Sequence, residues 1–160
     1  MKAVKLVLLI IISATILDGC KKSDQFSDVP SITFKSLTVM KSPGSLYDSI
    51  ADLVISFTDG DGDIGATQYS GTTSSFVSAR FKKHNGVWAA DTTAGATLGE
   101  NLPYLTPTGN NKALKGDIDH SFLLPFAVTK DTVRYDIYIS DRAKHKSNVL
   151  TTPEIVITTY

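Results

Sequence analysis

The residues whose types and spacing suggest chemistry are three aspartates that alternate with glycines in residues 57–67, FTDGDGDIGAT. Asp59, Asp61 and Asp63 place a carboxylate at every second position, and the glycines between them permit a tightly curled backbone. Calcium takes about six to eight oxygen ligands, mainly carboxylates and carbonyls, and tolerates irregular geometry. This acidic loop therefore predicts a Ca²⁺ site, because crowded carboxylates repel one another unless a cation neutralises them.

The acidic loop matches only the front half of an EF-hand. An EF-hand has Gly at its sixth position and a bidentate Glu at its twelfth, whereas this chain has Ile64 and Ser70 there. A calcium site would thus need ligands from another part of the chain. The sequence also leaves open a solvated turn, in which the aspartates accept hydrogen bonds from nearby backbone amides.

A further carboxylate comes from Asp141, which opens a polar turn, DRAKHKSN, late in the chain. Residues 49–58 and 131–140 alternate apolar and polar side chains, which is typical of strands with one buried face. In an immunoglobulin-like sandwich they would be strands B and F, whose following loops lie at the same end. We therefore expect Asp141 to join the acidic loop, as a ligand or through Arg142 pairing with one of its carboxylates.

The rest of the chain predicts strands. It is rich in Thr, Val, Ile, Tyr and Phe, punctuated by Gly, Asn, Asp and Pro, and it shows no sustained helical period. About seven to eight strands predict an all-β fold, an immunoglobulin- or fibronectin-like antiparallel β-sandwich, with a closed barrel as the alternative. Strands are expected at residues 31–40, 49–58, 75–84, 87–90, 115–122, 131–140 and 150–159, with a short edge strand near 102–105.

The start of the chain has the features of an export signal. Two lysines precede an apolar run that ends at Leu17, and this run is shorter than the ~20 residues that span a bilayer. It predicts a cleaved signal peptide at residues 1–19, with an uncleaved membrane anchor as the alternative. Residues 17–20, LDGC, resemble a bacterial lipoprotein box, from which only Asp18 departs. The resemblance implies that Cys20, the one cysteine of the chain, is lipidated.

Lipidation would attach the protein to a membrane, and we expect the outer membrane, on its periplasmic or its surface face. Residues 20–29 are polar and predict a lipidated flexible tether. Residues 30–160 suffice for one sandwich domain. The 16 basic and 16 acidic residues balance, and they form no basic patch, so nucleic acid is not an expected partner.

Two stretches carry a wider resemblance. Residues 56–65, SFTDGDGDIG, and 135–157, YDIYISDRAKHKSNVLTTPEIVI, resemble motifs of a group of Bacteroidota-type lipoproteins. These proteins combine a lipobox, a DGDGDIG loop and a late turn that contains Asp-Arg. The resemblance implies an exported, lipid-anchored β-sandwich, and it implies no particular activity. In this chain Lys144, His145 and Lys146 replace the Gly-Asn that is more usual in such turns.

No motif for catalysis is present: the chain lacks GxSxG, HExxH, a P-loop and GxGxxG. We expect a non-catalytic binding or accessory module of the cell envelope, stabilised by calcium, whose partner is an envelope protein or a glycan.

Two alternatives make their own structural demands. A carbohydrate-binding or processing component of a surface nutrient-uptake system would place Trp88, Tyr104 and Tyr138 along one groove. A hydrolase would bring His120 together with Asp117 or Asp119 and a serine. Without such contacts we expect His120 to be half-buried and the two aspartates to be surface charges.

Overall fold

The protein folds as an antiparallel β-sandwich. The computed structural model describes residues 25–66, 74–126 and 131–158. The predicted signal peptide and Cys20 lie outside these residues, and the predicted tether overlaps them only at 25–29. Within the described part of the chain, no helix is long and apolar enough to cross a membrane.

Nine strands are found in these residues, in two sheets. The smaller sheet has the order β1-β2-β6, and the larger has the order β4-β3-β7-β8, with β5 also paired to β3 and β9 to β7. All pairs are antiparallel. The strands are β1 Ser31–Met40, β2 Ile50–Asp59, β3 Phe76–His84, β4 Val87–Ala90, β5 Thr97–Glu100, β6 Leu114–Leu123, β7 Asp131–Ile139, β8 Leu150–Thr151 and β9 Ile155–Ile157.

This strand order confirms the predicted sandwich. β2 lies between β1 and β6, as strand B lies between A and E, and β3 pairs with β7, as C pairs with F. The chain changes sheet after β2, after β5 and after β6. The loops that follow β2 and β7 therefore lie at one end of the molecule, as the sequence predicts.

Side chains from both sheets form a single core. Phe122 of β6 stacks on Tyr135 of β7 with ring centroids 4.3 Å apart, which joins the two sheets. The alternation predicted for β2 and β7 is confirmed, because their inward apolar residues are all buried. The buried core consists of Ile32, Ala51, Leu53, Ile55, Phe57, Ile64, Phe76, Phe122, Leu124, Val133, Tyr135, Ile137, Ile139, Leu150, Ile155 and Ile157.

β1 and the predicted edge strand depart from the pattern that the sequence predicts. In β1 the register with β2 shifts between Phe34 and Ser36, which marks a β-bulge, and Phe34 is 44 % exposed although Ile32 is buried. The edge strand expected near residues 102–105 is wrong; the strand lies at Thr97–Glu100, opposite Phe76–Ala79 of β3.

The last predicted strand is interrupted. Pro153 separates β8 from β9, because proline has no N–H to donate to a ladder. At the break, the Tyr135 amide donates a hydrogen bond to the Thr152 hydroxyl at 3.0 Å.

The inward face of β3 is partly polar. Phe76, Ser78 and Arg80 are buried on this strand. Arg80 Nε donates to Asp91 Oδ2 at 2.7 Å, and the two side chains are 8 % and 3 % exposed. Arg80 also donates to the Thr93 hydroxyl at 3.1 Å. A buried arginine is therefore matched by a buried carboxylate inside the sandwich.

Candidate metal site

Three carboxylates meet at the end of the sandwich where β2 and β7 stop. Asp59 is the fully buried last residue of β2, Asp63 lies in the loop that follows, and Asp141 comes just after β7. One oxygen atom from each residue lies within 4.8 Å of the other two. We call these three residues the acidic cluster. The predicted approach of Asp141 to the acidic loop is thus found.

The acidic loop curls because of its glycines. Gly62 has φ 69° and Gly65 has φ 85°, a left-handed conformation that side chains other than glycine disfavour. A Cβ atom at Gly62 would also collide with the carbonyl oxygen of Lys112, and one at Gly65 with that of Pro103. Glycine at both positions lets the loop pack against residues 103–112.

The loop after β7 is bonded directly to the acidic loop. Ile64 and Asp141 form an isolated antiparallel bridge, and the Arg142 amide donates to the Asp63 carbonyl at 3.1 Å. The Arg142 guanidinium donates to the carbonyl oxygens of Ile64 at 2.8 Å and Leu105 at 3.2 Å. The predicted pairing of Arg142 with a loop carboxylate is therefore wrong, because the guanidinium donates hydrogen bonds to backbone carbonyl oxygens instead.

Each carboxylate of the cluster is held in place by a backbone amide. Asp59 Oδ2 accepts from the Asp63 amide at 3.0 Å, and Asp63 Oδ2 accepts from the Ala143 amide at 3.1 Å. Asp141 Oδ1 accepts from the His145 amide at 2.7 Å, and its Oδ2 lies 2.9 Å from His145 Nδ1. The sequence gives no signal for the contact with His145, which depends on the turn that follows β7.

The second oxygen of two of these carboxylates has no partner. Asp59 Oδ1 and Asp63 Oδ1 are buried and accept no hydrogen bond from any residue that the structure describes. The pKa of Asp59 is raised to about 6, first by its burial and then by the charges of Asp61, Asp63 and Asp141, against the hydrogen bond from the Asp63 amide. The cluster is therefore short of positive charge, since an unpaired buried carboxylate is costly.

Asp61 lies outside the acidic cluster, although it was predicted to be a ligand. Its side chain is exposed, and it borders a polar depression together with Asp28 and Asn111. The pKa of Asp61 is raised by partial desolvation and by the charges of Asp63 and Asp28. Three of the four predicted residues thus come together, and the fourth points to a different surface.

The chain enters the domain beside the acidic loop. The Gly60 amide donates to the Ser27 carbonyl at 2.8 Å, and a Cβ atom at Gly60 would collide with the Phe26 carbonyl oxygen. The last residues of the predicted flexible tether are therefore docked on the loop. The absence of a side chain at Gly60 is what permits this contact.

The arrangement expected of a hydrolase is not found among the described residues. His120 lies between Phe76 and Phe122, with ring centroids 4.6 and 4.5 Å away, and its Nδ1 is 3.6 Å from Glu100. Asp117 instead bonds to Lys35 across the outer face of the smaller sheet. His120 is half-buried, as predicted, and it packs as part of the core.

The three aromatic residues expected in a carbohydrate groove do not share one. Trp88 is opposite Lys83 of β3 and Tyr138 is opposite Val77. At about 3.3 Å per residue, these positions are roughly 20 Å apart along the strand. Tyr104 lies beside the acidic loop, where it stacks on Arg142 at 4.2 Å.

Comparisons with protein-family models, with curated proteins and with solved structures find no match for this chain.

Proposed function

We propose that this protein is a lipid-anchored, non-catalytic binding or accessory module of the cell envelope, in which Ca²⁺ joins two loops at one end of the sandwich. The observation that carries the proposal is the pair of buried oxygen atoms, Asp59 Oδ1 and Asp63 Oδ1, that have no partner among the described residues. A solvated turn would account for the bonded Oδ2 atoms, but it would not bury the Oδ1 atoms unpaired.

The donor set suits a hard cation. Asp59, Asp63 and Asp141 offer carboxylate oxygens from two different loops, and carboxylates are the ligands that Ca²⁺ prefers. Bound calcium would neutralise their mutual repulsion and fasten the loop after β2 to the loop after β7. The ion would therefore stabilise the end of the domain, and ligand binding would occur elsewhere.

Lipidation at Cys20 would place this end of the sandwich near a membrane. Phe26 is docked beside Gly60, and the six residues from Cys20 to Phe26 span at most about 20 Å when extended. The acidic cluster would then face the bilayer, and the opposite end would face away from it.

The calcium proposal is tested by thermal unfolding of the mature domain with excess CaCl₂ and with a chelator. Calcium that binds only the folded state must raise the unfolding midpoint, by an amount that corresponds to about 2.7 kcal/mol at one hundred times Kd. Asp59→Asn and Asp63→Asn should each abolish the increase. Asp61→Asn is the matched control, because Asp61 lies outside the cluster, and it should retain most of the increase.

Identical midpoints in calcium and in chelator would contradict the proposal. A calcium response that survives Asp59→Asn but disappears in Asp61→Asn would move the ion to the polar depression beside Asp28.

The anchoring proposal has a separate test. Cys20→Ser should release the protein from the membrane fraction or block its processing, because the acylated residue is lost. A Ser23→Ala variant is the control and should remain with the membrane. Unchanged membrane retention of Cys20→Ser would refute the lipobox interpretation.

A further inference from the structure

The outer face of the larger sheet presents an arginine without an acceptor. Arg134 of β7 places its guanidinium carbon 4.5 Å from the ring centroid of Trp88 and 5.6 Å from that of Phe81. Its Nε is buried and unpartnered. Across residues 25–66, 74–126 and 131–158, no carboxylate forms an ion pair with this guanidinium and no oxygen accepts a hydrogen bond from it.

The terminal nitrogens of Arg134 are available to a ligand. Among the described residues no oxygen accepts a hydrogen bond from either Nη atom, and neither atom is fully buried. These atoms form the edge of the guanidinium that binds carboxylates in a bidentate manner. The site therefore offers parallel donors to an oxyanion.

The neighbouring charges already have partners. Lys83 Nζ lies 5.3 Å from the Trp88 ring centroid and pairs with Glu154 at 2.6 Å. Asp136, the next outward residue on β7, accepts a hydrogen bond from the Thr151 hydroxyl at 2.7 Å. Asp136 keeps its negative charge on this face, but neither it nor any other described carboxylate forms an ion pair with Arg134.

Stacking on the aromatic rings prepares Arg134 for binding. A guanidinium held against Trp and Phe has fewer conformations to lose than a free one. The rings also supply apolar edges beside the donors, and apolar C–H surfaces of a ligand can pack there. A ligand that suits both features carries an oxyanion on a compact ring with C–H faces.

We propose that Arg134, Trp88 and Phe81 form a binding subsite for the carboxylate of an acidic sugar, of the uronic acid class. This inference rests on the binding role proposed above and gives that role a ligand. A peptide suits the site less well, because β7 is paired on both sides, to β3 and to β8 and β9. An added strand would therefore find no free backbone edge next to Arg134.

Trp88 provides a direct measurement, since it is the only tryptophan of the chain. Trp88 fluorescence is followed while the folded domain is titrated, in chelator, with oligogalacturonate. A neutral oligosaccharide of the same length and a glutamate-rich peptide are titrated in parallel. We expect a saturable change with oligogalacturonate alone.

Substitutions test whether the change in Trp88 fluorescence depends on the Arg134 guanidinium. Arg134→Ala should weaken oligogalacturonate binding at least tenfold, and Arg134→Lys should weaken it less, because it keeps the charge but loses the bidentate geometry. Lys35→Ala removes a positive charge from the other sheet and should bind like the parent protein. Thermal unfolding of each variant confirms that it is folded.

Three results would overturn the proposal: no response to oligogalacturonate, an equal response to the neutral oligosaccharide, or full binding by Arg134→Ala. Binding of the acidic peptide alone would replace the sugar by a protein ligand and would also reject it. The calcium-dependent unfolding midpoint tests the acidic cluster, and membrane retention tests Cys20. Neither measurement depends on Arg134. A failure at Arg134 is therefore distinguishable from a failure of the proposed function.

Discussion

Two regions among the described residues bury carboxylates whose surroundings differ. Inside the sandwich, Asp91 is bonded to Arg80 and Thr93. These bonds outweigh the effect of burial and hold the pKa of Asp91 well below its usual range. At the end of the sandwich, no arginine or lysine of the described residues forms an ion pair with the acidic cluster, and the pKa of Asp59 is raised to about 6.

The difference shows where the protein supplies its own positive charge and where it does not. Arg142 directly follows Asp141 in the chain, but its guanidinium is bonded to the carbonyl oxygens of Ile64 and Leu105. The described residues therefore supply no arginine or lysine partner to the acidic cluster, whereas Asp91 is paired with Arg80.

The largest effect is expected for Arg80→Met. Removing one partner of a buried ion pair costs about 3–5 kcal/mol when the other charge is left uncompensated. Lys82 Nζ lies 3.6 Å from Asp91 Oδ2 and keeps part of the compensation, so we expect a loss near the lower end of this range. Chemical denaturation should show this loss equally with calcium and with chelator. Arg134→Met, an outer-face arginine without a carboxylate partner, is the control and should cost much less. A loss at Arg80 that calcium restores would show that the two regions are coupled.

The next effect concerns pH in the absence of calcium. The pKa of Asp59 is about 6 in the folded protein against 3.8 without the fold, so the folded state holds its proton more tightly. Below pH 3.8, binding of this proton stabilises the folded state by about 3 kcal/mol. This stabilisation is lost as the pH rises through 6. Unfolding in chelator across pH 4–7 measures it.

Two controls sharpen the pH experiment. Asp59→Asn should remove this dependence, and excess calcium should reverse it, because calcium competes with the proton. The lowered pKa of Asp91 acts in the opposite direction: its stabilisation is present above pH 3.8 and is lost on further acidification. A chelator-treated protein that gains stability from pH 4 to pH 7 would contradict the account of Asp59.

A smaller effect is expected for Gly62→Ala in the acidic loop. The positive φ and the collision with the Lys112 carbonyl both oppose a side chain, so we expect a loss of more than about 1 kcal/mol and a reduced response to calcium. Gly44→Ala is the matched control, because Gly44 has φ 80° but nothing within 4 Å of a Cβ atom. Equal losses would show that packing at Gly62 is unimportant.

The smallest effect is expected at the Lys35–Asp117 contact. Both side chains are largely exposed, at 54 % and 44 %, and solvent screens such pairs. Lys35→Ala should leave the unfolding midpoint unchanged in 0.15 M salt. A clear decrease in the unfolding midpoint would mean that the exposed charge of Lys35 stabilises the fold as the buried charge of Arg80 does.

The position of the acidic cluster could be predicted from the alternation of apolar and polar residues in two strands. The patterns of β2 and β7 identify their inward faces, and the sandwich topology then brings Asp141 to Asp59 and Asp63. The exclusion of Asp61 could not be predicted, because it depends on the left-handed conformation of Gly62 and on contacts with residues distant in the sequence.

Other structural features could not be predicted from the sequence pattern, because they also depend on contacts between residues distant in the sequence. The bulge after Phe34 is a property of the pairing with β2: Ile32 lies opposite Phe57 before it and Leu37 lies opposite Leu53 after it, so the inward positions change from even to odd without any local signal. Arg80 has the sequence pattern of a surface residue, and only its bond to Asp91 explains its burial. Backbone hydrogen bonds, such as the one from the Gly60 amide to the Ser27 carbonyl, cannot be predicted from side-chain periodicity.

The docking of Ser27 on Gly60 has a mechanical consequence. Tension applied through the N-terminal side of the chain would reach the domain at this hydrogen bond. It would then act on the pairing of Ser31 with Thr58, the first contact of β1 with β2. The segment that leads to Asp59 would therefore bear the force first, and an ion holding that loop to Asp141 would raise the load needed to peel β1 away.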